Sequence, residues 1–540
     1  MFNIRFTYMR ASENRMDSKV FLLGSALLAW MSFAPAESCA QAWTDGHSRG
    51  KIEPLKGLEY SVEGQASYSK GKTPLWLNAN KYGLSSLDEA NGYVRASLIR
   101  PLQTDSARRW AVGYGVDVAV PYHFTSNFVV QQAYAEGRWL HGVLTVGSKQ
   151  WPMELKNNNL SSGAQTLGKN ARPVPQVRIA LPDYWILPFA NGWLRFKGHV
   201  AYGMMTDDGW QHEFTNRAKR YADNVLYHSK AGYLKIGNED SFYPLSLELG
   251  LEMAAMFGGT SYVPLNGVMT PMKGEGGLKG MWNAFVPGGS DAGETVYKNI
   301  SGDQVGSWLA RINYDADTWR FSIYADKFFE DHSGMFQLDY DGYGEGAEWQ
   351  KKKKSRYLIY DFKDIMLGAE LNLKYGSWLR HAVFEYIYTK YQSGPINHDH
   401  TPSFSDHVAG IDNFYNHHLY TGWQHWGQVI GNPLYRSPIY NADGSISVAD
   451  NRFLAFHLGV DGNLSENLAY RVLATYQEGF GTYRDPYTRK HHNVSAMAEA
   501  TWSIKRGWTV RGAYAMDFGA ILGNNAGFQL TFSKNGLLGL

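Results

Sequence analysis

The sequence predicts an all-β protein, a transmembrane antiparallel β-barrel of about 18 strands with long extracellular loops and short periplasmic turns. The first observation is composition. Aromatic residues make up 15% of the chain, including 35 Tyr and 18 Trp, and there are 57 Gly, yet the mean hydropathy is −0.38. This combination results when every second residue of a strand faces lipid and the others face water.

The second observation is an alternation of period two, the pattern of a strand with one apolar and one polar face. At residues 110–122 the even positions are Trp110, Val112, Tyr114, Val116, Val118, Val120 and Tyr122, and the odd positions include Gly113, Gly115 and Asp117. The same pattern returns further along, with Arg195, Arg320 and Arg511 on polar faces. A soluble sandwich or propeller also alternates, but repeated charges on one face and aromatics near strand ends favour a membrane barrel. Closure would also leave no strand edge unpaired.

The third observation is the alternation of short and long connections, which is typical of outer-membrane barrels. Short turns are predicted near residues 105–109, 137–139, 190–192, 237–240, 314–318, 374–377, 461–467 and 505–507. Longer segments are predicted at residues 70–90, 150–172, 206–227, 258–304, 330–356 and 392–450, with short helices within residues 75–91 and 210–224. Eight turns plus the terminal strands give the count of about 18 and place both termini in the periplasm.

The N-terminal stretch has the parts of a secretory signal. Basic residues precede an apolar run at residues 20–33, and small residues end at Ala42. We therefore predict a cleaved signal peptide at residues 1–42, starting at Met1 or Met16, a short periplasmic segment at residues 43–56, and a barrel at residues 57–540. The single cysteine, Cys39, lies in the signal, so no disulfide is expected in the mature chain.

Composition and motifs argue against several function classes. A formal net charge of +2 does not suit a nucleic-acid binder with a basic footprint. No G-x-S-x-G motif accompanies the 17 histidines, so we predict no enzyme and no catalytic residue. The histidines at residues 398–400, 417–418 and 491–492 are more typical of solvated loops than of zinc sites, and residues 339–345 lack the EF-hand spacing. No metal and no cofactor are predicted.

Carbohydrate contact is better supported, because the longer segments combine aromatic platforms with amides and charges. The candidate polysaccharide-binding or lumen-lining residues are Trp349, Lys351, Lys352, Tyr415, Asn416, Trp423, Trp426, Arg172 and Gln176. The lysines could equally form a solvated face, and the tryptophans could pack the loops.

Three sequence signatures carry a resemblance to a known family. The first lies within residues 160–184 and comprises Ser161, Ser162, Gly163, Asn170, Pro173 and Pro175; the second runs from Tyr415 and Trp423 to Gly431, Asn432 and Pro433; the third runs from Asn451 and Arg452 to Gly481, Thr482 and Tyr483. With these residues the chain resembles the Wzi-type capsule-assembly proteins of the Gram-negative outer membrane, from about Leu58 to the C-terminus.

The resemblance implies an 18-stranded outer-membrane lectin that holds capsular polysaccharide at the cell surface, without catalysis or a cofactor. The expected partners are this polysaccharide and outer-membrane lipid and lipopolysaccharide, with the barrel a monomer. The alternative is a porin or a saccharide-selective channel, whose lumen Arg195, Arg320 and Arg511 would line. In both cases residues 160–184 are predicted to fold inward at the start of the sixth strand, with Pro173 and Pro175 fixing extended backbone.

Overall fold

The computed structural model describes residues 53, 55–106, 109–238, 241, 243–286, 302–330, 363–392 and 412–538. In chain order the strands are β1 (Glu59–Lys70), β2 (Ala90–Arg100), β3 (Trp110–Tyr122), β4 (Val129–Trp139), β5 (Gly142–Ser148), β6 (Gln176–Ile186), β7 (Leu194–Met204), β8 (Tyr221–Asp223), β9 (Leu226–Ile236), β10 (Leu245–Phe257), β11 (Thr260–Leu265), β12 (Val268–Lys273), β13 (Asp303–Asp315), β14 (Trp319–Glu330), β15 (Ile365–Leu373), β16 (His381–Tyr388), β17 (Gln424–His425), β18 (Gln428–Val429), β19 (Phe453–Ser465), β20 (Leu468–Gly481), β21 (Pro486–Ile504), β22 (Trp508–Gly519) and β23 (Asn525–Leu537). The α-helices are α1 (Leu75–Asn78), α2 (Trp210–Phe214) and α3 (Gly277–Phe285), and 3-10 turns lie at Leu102–Asp105, Pro188–Ala190, Pro438–Tyr440 and Lys505–Gly507.

Eighteen of these strands form one closed antiparallel barrel, as predicted. The last strand, β23, pairs with β1 over its whole length, from Glu59 opposite Leu537 to Lys70 opposite Ala526. Closure removes the two free edges that an open sheet of this size would present. The strands outside the barrel form a three-stranded sheet of β8, β11 and β12 and a small pair of β17 and β18.

The connections sort to the two ends of the barrel as the sequence predicts. The eight short turns lie at one end, the short-turn end, and include residues 140–141 between β4 and β5 and residues 466–467 between β19 and β20. The strand ends that the six predicted long segments join lie at the opposite end, the long-connection end. This end also carries shorter connections at residues 123–128, 482–485 and 520–524, which the sequence did not distinguish. Helices α1 and α2 fall within the predicted stretches, and α3 was not predicted.

The apolar face of each strand points outward. Exposed apolar side chains on the barrel strands include Val94, Val116, Ile179, Ile323, Phe384, Leu458, Tyr514 and Phe528. Aromatic pairs cluster near the short-turn end, where Trp110 stacks on Trp139 with ring centroids 5.8 Å apart and Tyr314 stacks on Trp319 at 5.4 Å. An apolar band ending in aromatic rings matches the lipid-facing surface of a transmembrane barrel.

The other face carries buried polar side chains and points into the lumen. These include Asp117, Glu252, Ser307, Asp326, Glu385, His457, Thr475 and Asp517. Among the described residues, no helix is both long and apolar enough to cross a bilayer.

Three segments from the long-connection end fold into the lumen and pack against one another. They are residues 71–89, residues 149–175 and residues 412–451, and we call them the first, second and third inward segments. Their apolar side chains form one core with inward-facing wall residues, and Trp76, Leu160 and Trp423 are among its buried members. The inward fold of residues 160–175 ahead of β6 therefore agrees with the prediction.

Candidate functional site

The second inward segment is bonded to acidic side chains of β14, β15 and β16. Glu385 of β16 accepts a hydrogen bond from the Ser161 hydroxyl at 2.5 Å and another from the backbone N–H of Ser162 at 2.8 Å. Asp326 of β14 accepts the Lys156 ammonium at 2.7 Å. Because charge-assisted hydrogen bonds of this kind are strong and short, they hold the segment firmly against this side. We call the inward face of β14–β16 the sealed wall.

Further hydrogen bonds join the second inward segment to the sealed wall and to β19. The Asn157 side chain donates a hydrogen bond to Glu370 of β15 at 3.0 Å, and the backbone N–H of Gln165 donates one to Asp326 at 3.0 Å. On β19, His457 Nε2 lies 2.7 Å from the Leu160 carbonyl oxygen. The serines of the first signature are therefore engaged in structural hydrogen bonds.

The first and second signatures pack directly on each other inside the lumen. The side-chain amide of Asn432 donates hydrogen bonds to the Ser162 hydroxyl at 3.2 Å and to the Gly163 carbonyl oxygen at 3.1 Å. Gly163 has φ +148°, and a Cβ there would lie 2.9 Å from Cδ of Pro433. Only glycine allows this backbone shape and this close approach. Residues that are far apart in the chain thus meet in one packed unit.

A neighbouring part of the barrel wall, separated from the sealed wall by β13 alone, leaves a cavity. A space of about 220 Å³ lies between the second inward segment and the inward faces of β6, β7, β9 and β10. We call this space the wall cavity and the strand face behind it the cavity wall. Its lining includes Lys149, Trp151, Arg172, Gln176, Arg178 and His199.

Two arginines of the wall cavity stack on tryptophans. The Arg178 guanidinium lies 3.9 Å from the Trp151 ring centroid, and that of Arg172 lies 4.1 Å from Trp426. Within the described ranges neither arginine pairs with a carboxylate, and Nε of each is buried without a hydrogen-bond acceptor. Burial lowers the pKa of Arg172 to about 10, so it remains a cation at neutral pH. Both guanidinium groups have donors left for a ligand.

A second cavity of about 300 Å³ lies toward the long-connection end, and we call it the loop cavity. It is bounded by residues 204–209, parts of α2, residues 222–225 and residues 424–426. His425 stands between the two cavities, with Nδ1 2.8 Å from the Arg172 carbonyl oxygen and Nε2 accepting the Thr206 amide at 3.1 Å. Burial lowers the pKa of His425 to about 4, so the ring is neutral, with its proton on Nδ1.

The predicted binding residues fall into three groups. Arg172 and Gln176 line the wall cavity, and Trp426 lines the loop cavity. Tyr415 and Trp423 are fully buried and belong to the packed core. Asn416 bonds the backbone of Val448 in both directions, as donor at 2.9 Å and acceptor at 2.8 Å. Trp349, Lys351 and Lys352 lie outside the described residues.

Several cavity residues were not singled out from the sequence. Trp151, Arg178, Tyr233 and Glu252 all line the wall cavity. The alternation along β6 and β7 indicates that Arg178 and His199 face inward, but it does not indicate which inward positions border open space. That depends on where the second inward segment lies. In the part of the chain that the structure describes, no group of three or more His, Cys, Asp or Glu is placed to hold a metal ion.

A closed barrel with an apolar exterior, aromatic rings at its end and a polar, partly filled lumen defines a transmembrane β-barrel of the outer-membrane class. No family model matches the chain, and no curated protein matches it either. Of the earlier resemblance, the outer-membrane barrel is the level that is supported.

Among solved structures the chain is similar to several bacterial barrels. OccAB2 of Acinetobacter baumannii has a TM-score of 0.44 at 10% identity, covering 90% of this chain and 99% of that one. OccK5 of Pseudomonas aeruginosa has a TM-score of 0.43 at 8% identity, covering 90% and 99%. OprD of the same organism has a TM-score of 0.41 at 9% identity, covering 89% and 96%. These are distant likenesses of fold alone.

Proposed function

We propose that this protein is a saccharide-selective outer-membrane channel whose route follows the cavity wall. The observation that carries the proposal is the pair of cavities, about 220 and 300 Å³, on either side of His425. Their volumes suit single sugar rings. On this proposal the long-connection end faces the exterior, and solute passes from the loop cavity to the wall cavity.

The chemistry of the wall cavity favours an acidic saccharide. Aromatic rings offer faces to the apolar sides of a sugar, and amides such as Gln176 bond its hydroxyls. The free donors of Arg172 and Arg178 match a carboxylate, which a guanidinium binds with paired hydrogen bonds.

Cations continue beyond the cavity toward the short-turn end. Lys197 of β7 and Lys235 of β9 lie 4.6 and 5.7 Å from the ring centroid of Tyr184. Both alternate with outward residues and so face the lumen. Lys197 also pairs with Glu154 at 2.5 Å, so an acidic solute leaving the wall cavity would meet this lysine as part of an ion pair.

Permeation measurements test the proposal. Purified protein in liposomes would be assayed for entry of galacturonate and of galactose, as wild type and as the Arg178→Gln variant. We expect the wild type to prefer galacturonate, and the variant to lose about tenfold of that preference, which corresponds to about 1.4 kcal/mol for one charge-assisted hydrogen bond.

The matched control is Arg320→Gln. Arg320 also lies on an inward position but is half exposed and paired with Asp315, so its replacement should leave the preference unchanged. A folded wild-type barrel that admits neither sugar would refute the channel. An Arg178→Gln variant with the wild-type preference would refute the role of Arg178 in selecting the acidic sugar.

A second candidate function is attachment of capsular polysaccharide at the cell surface. The observation that favours it is the packing of the signature residues that carry the family resemblance, such as Gly163 against Pro433, into one unit that fills much of the lumen. Its test is binding of the purified barrel to the host's own capsular polysaccharide, together with capsule retention in a deletion strain. Binding and lost retention without sugar permeation would favour attachment over the channel.

A further inference from the structure

Helix α3 is docked on the outside of the barrel near the long-connection end. It covers Ala255 and Phe257 of β10, which are 1% and 1% exposed although they occupy outward positions in the strand. On the same outward face of β10 but closer to the short-turn end, Leu249 is 41% exposed. The helix therefore shields one patch of a surface that elsewhere is open.

Three polar wall residues hold the C-terminal half of this helix. The Tyr202 hydroxyl donates to the Met281 carbonyl at 2.9 Å, and the Gln304 amide donates to the Asn283 carbonyl at 3.0 Å. The Lys230 ammonium donates to the Phe285 carbonyl. The last carbonyls of a helix have no partner within it, and a cation at this end is favoured by the helix dipole.

These contacts account for polar side chains on an apolar exterior. Lys230 and Gln304 alternate with inward residues of β9 and β13 and so point away from the lumen. A charge facing lipid is costly in a membrane barrel. Bonded to the helix end, the two side chains are instead covered by protein.

The opposite face of α3 is apolar and open. Leu278 is 86% exposed and Trp282, one turn later, is 48% exposed. Lys279 lies beside this face, is largely exposed, and pairs with Glu275 at 2.5 Å. A short helix with one apolar face and a bordering charged face has the character of an interfacial membrane helix.

We infer that α3 is a lipid anchor that lies in the headgroup region of the outer membrane, with Leu278 and Trp282 inserted among the lipids. The face that these residues present is continuous with the lipid-facing surface of the barrel, since exposed Val200 of β7 and Leu249 of β10 lie on strands beside the helix. Tryptophan favours the membrane interface, where its ring is partly buried and its N–H stays hydrated. The inference requires that the protein is an outer-membrane barrel, and it does not depend on which solute the barrel transports.

Depth-dependent fluorescence quenching tests this anchor. The chain has one cysteine, Cys39, so Leu278→Cys in a Cys39→Ser background gives a single labelling position. An environment-sensitive dye at this position would be measured in phosphatidylcholine–phosphatidylglycerol vesicles that carry bromine at the upper acyl chain. Lys279→Cys, labelled in the same way, is the matched control because it neighbours the apolar face without belonging to it.

We expect bromine to quench the dye at position 278 at least about threefold more strongly than at position 279. Adding Gln304→Ala to the labelled Leu278→Cys protein should reduce this difference, because it removes one bond that holds the helix. Equal quenching at the two positions would overturn the inference. So would efficient disulfide cross-linking of unlabelled Leu278→Cys between two barrels in vesicles, since the face would then cover a second copy of the chain.

Discussion

The sealed wall and the cavity wall face the same inward segment and differ in how fully the segment matches their charges. Along the sealed wall, Asp326 and Glu385 receive hydroxyl, ammonium and amide donors from residues 149–175. Beside the wall cavity, Arg172 and Arg178 stack on tryptophan rings, and Arg172 also donates to the Thr125 hydroxyl at 3.2 Å. One loop thus closes the lumen against the sealed wall and leaves a space of about 220 Å³ beside the cavity wall.

The difference follows from the polar groups that the loop presents to each side. Lys156 and Ser161 are donors and meet carboxylates, which are acceptors. On the cavity side the loop contributes Glu154, which pairs with Lys197 of β7, together with Trp151 and Arg172, and the strand that faces it contributes the cation Arg178. Arg172 and Arg178 are both hydrogen-bond donors and cannot bond to each other. Their remaining N–H groups can therefore bind an anion.

The largest expected effect comes from breaking the sealed wall at Glu385. This side chain is fully buried and accepts bonds from Ser161, Ser162 and Tyr324 at 2.5, 2.8 and 2.5 Å. Glu385→Ala should lower the free energy of unfolding by about 5 kcal/mol, since breaking a buried charged network leaves its donors unpaired. Urea unfolding in micelles measures this loss, and bilayer conductance should rise as the segment loosens.

The conservative variant Glu385→Gln keeps one acceptor oxygen and should lose less than half as much stability. Glu466→Gln in the exposed turn between β19 and β20 serves as the control and should behave as wild type. Conductance and stability unchanged in Glu385→Ala would mean that the sealed wall does not hold the segment.

The junction between the wall cavity and the loop cavity should respond to pH through His425. Its pKa falls from 6.5 in the unfolded chain to about 4 in the folded one, because burial disfavours the charged ring. The stability that it contributes is therefore full above pH 6.5 and is lost as pH falls toward 4, on the order of 3 kcal/mol in total. Thermal unfolding between pH 4 and 7 should show this slope, and His425→Gln should flatten it. A slope that persists in this variant would assign the effect to other groups.

A smaller effect is expected where the signatures touch. Gly163→Ala places a methyl group 2.9 Å from Pro433 Cδ at φ +148°, so both strain and overlap oppose it. We expect a loss of about 2 kcal/mol in unfolding free energy. Gly137→Ala, where a Cβ would meet open space, is the control. Similar stability of the two variants would argue against close packing of the segments.

The sequence predicts the barrel well because its signals are local. The alternation at residues 110–122 reports which side of β3 faces lipid, and turn residues such as those at 505–507 mark the ends of hairpins. Eight such turns together with the terminal strands give the count of about 18 strands. The prolines at 173 and 175 likewise mark the entry to β6, which begins at Gln176.

The site is less predictable because its contacts span the whole chain. Asn157 meets Glu370 more than 200 residues away, and nothing near either residue indicates this. Helix α3 was missed for a related reason: Lys230 and Gln304 read as ordinary polar positions until the helix that they bind is in place. Tyr415 and Trp423 resemble binding aromatics in sequence, yet the third inward segment buries them in the core.

The smallest expected effect concerns stacking on the open side. Arg172→Lys keeps a cation at the wall cavity but loses the flat contact with Trp426, whose ring centroid lies 4.1 Å from the guanidinium. We expect a loss of about 1 kcal/mol in stability, the contribution of a partly buried cation–π pair. A double-mutant cycle with Trp426→Leu measures the coupling, because the stacked pair should show less than additive loss. The same cycle between Trp426 and Lys156, which belongs to the sealed wall, should show additive losses. Equal coupling in both cycles would indicate that the two sides of the lumen act as one unit.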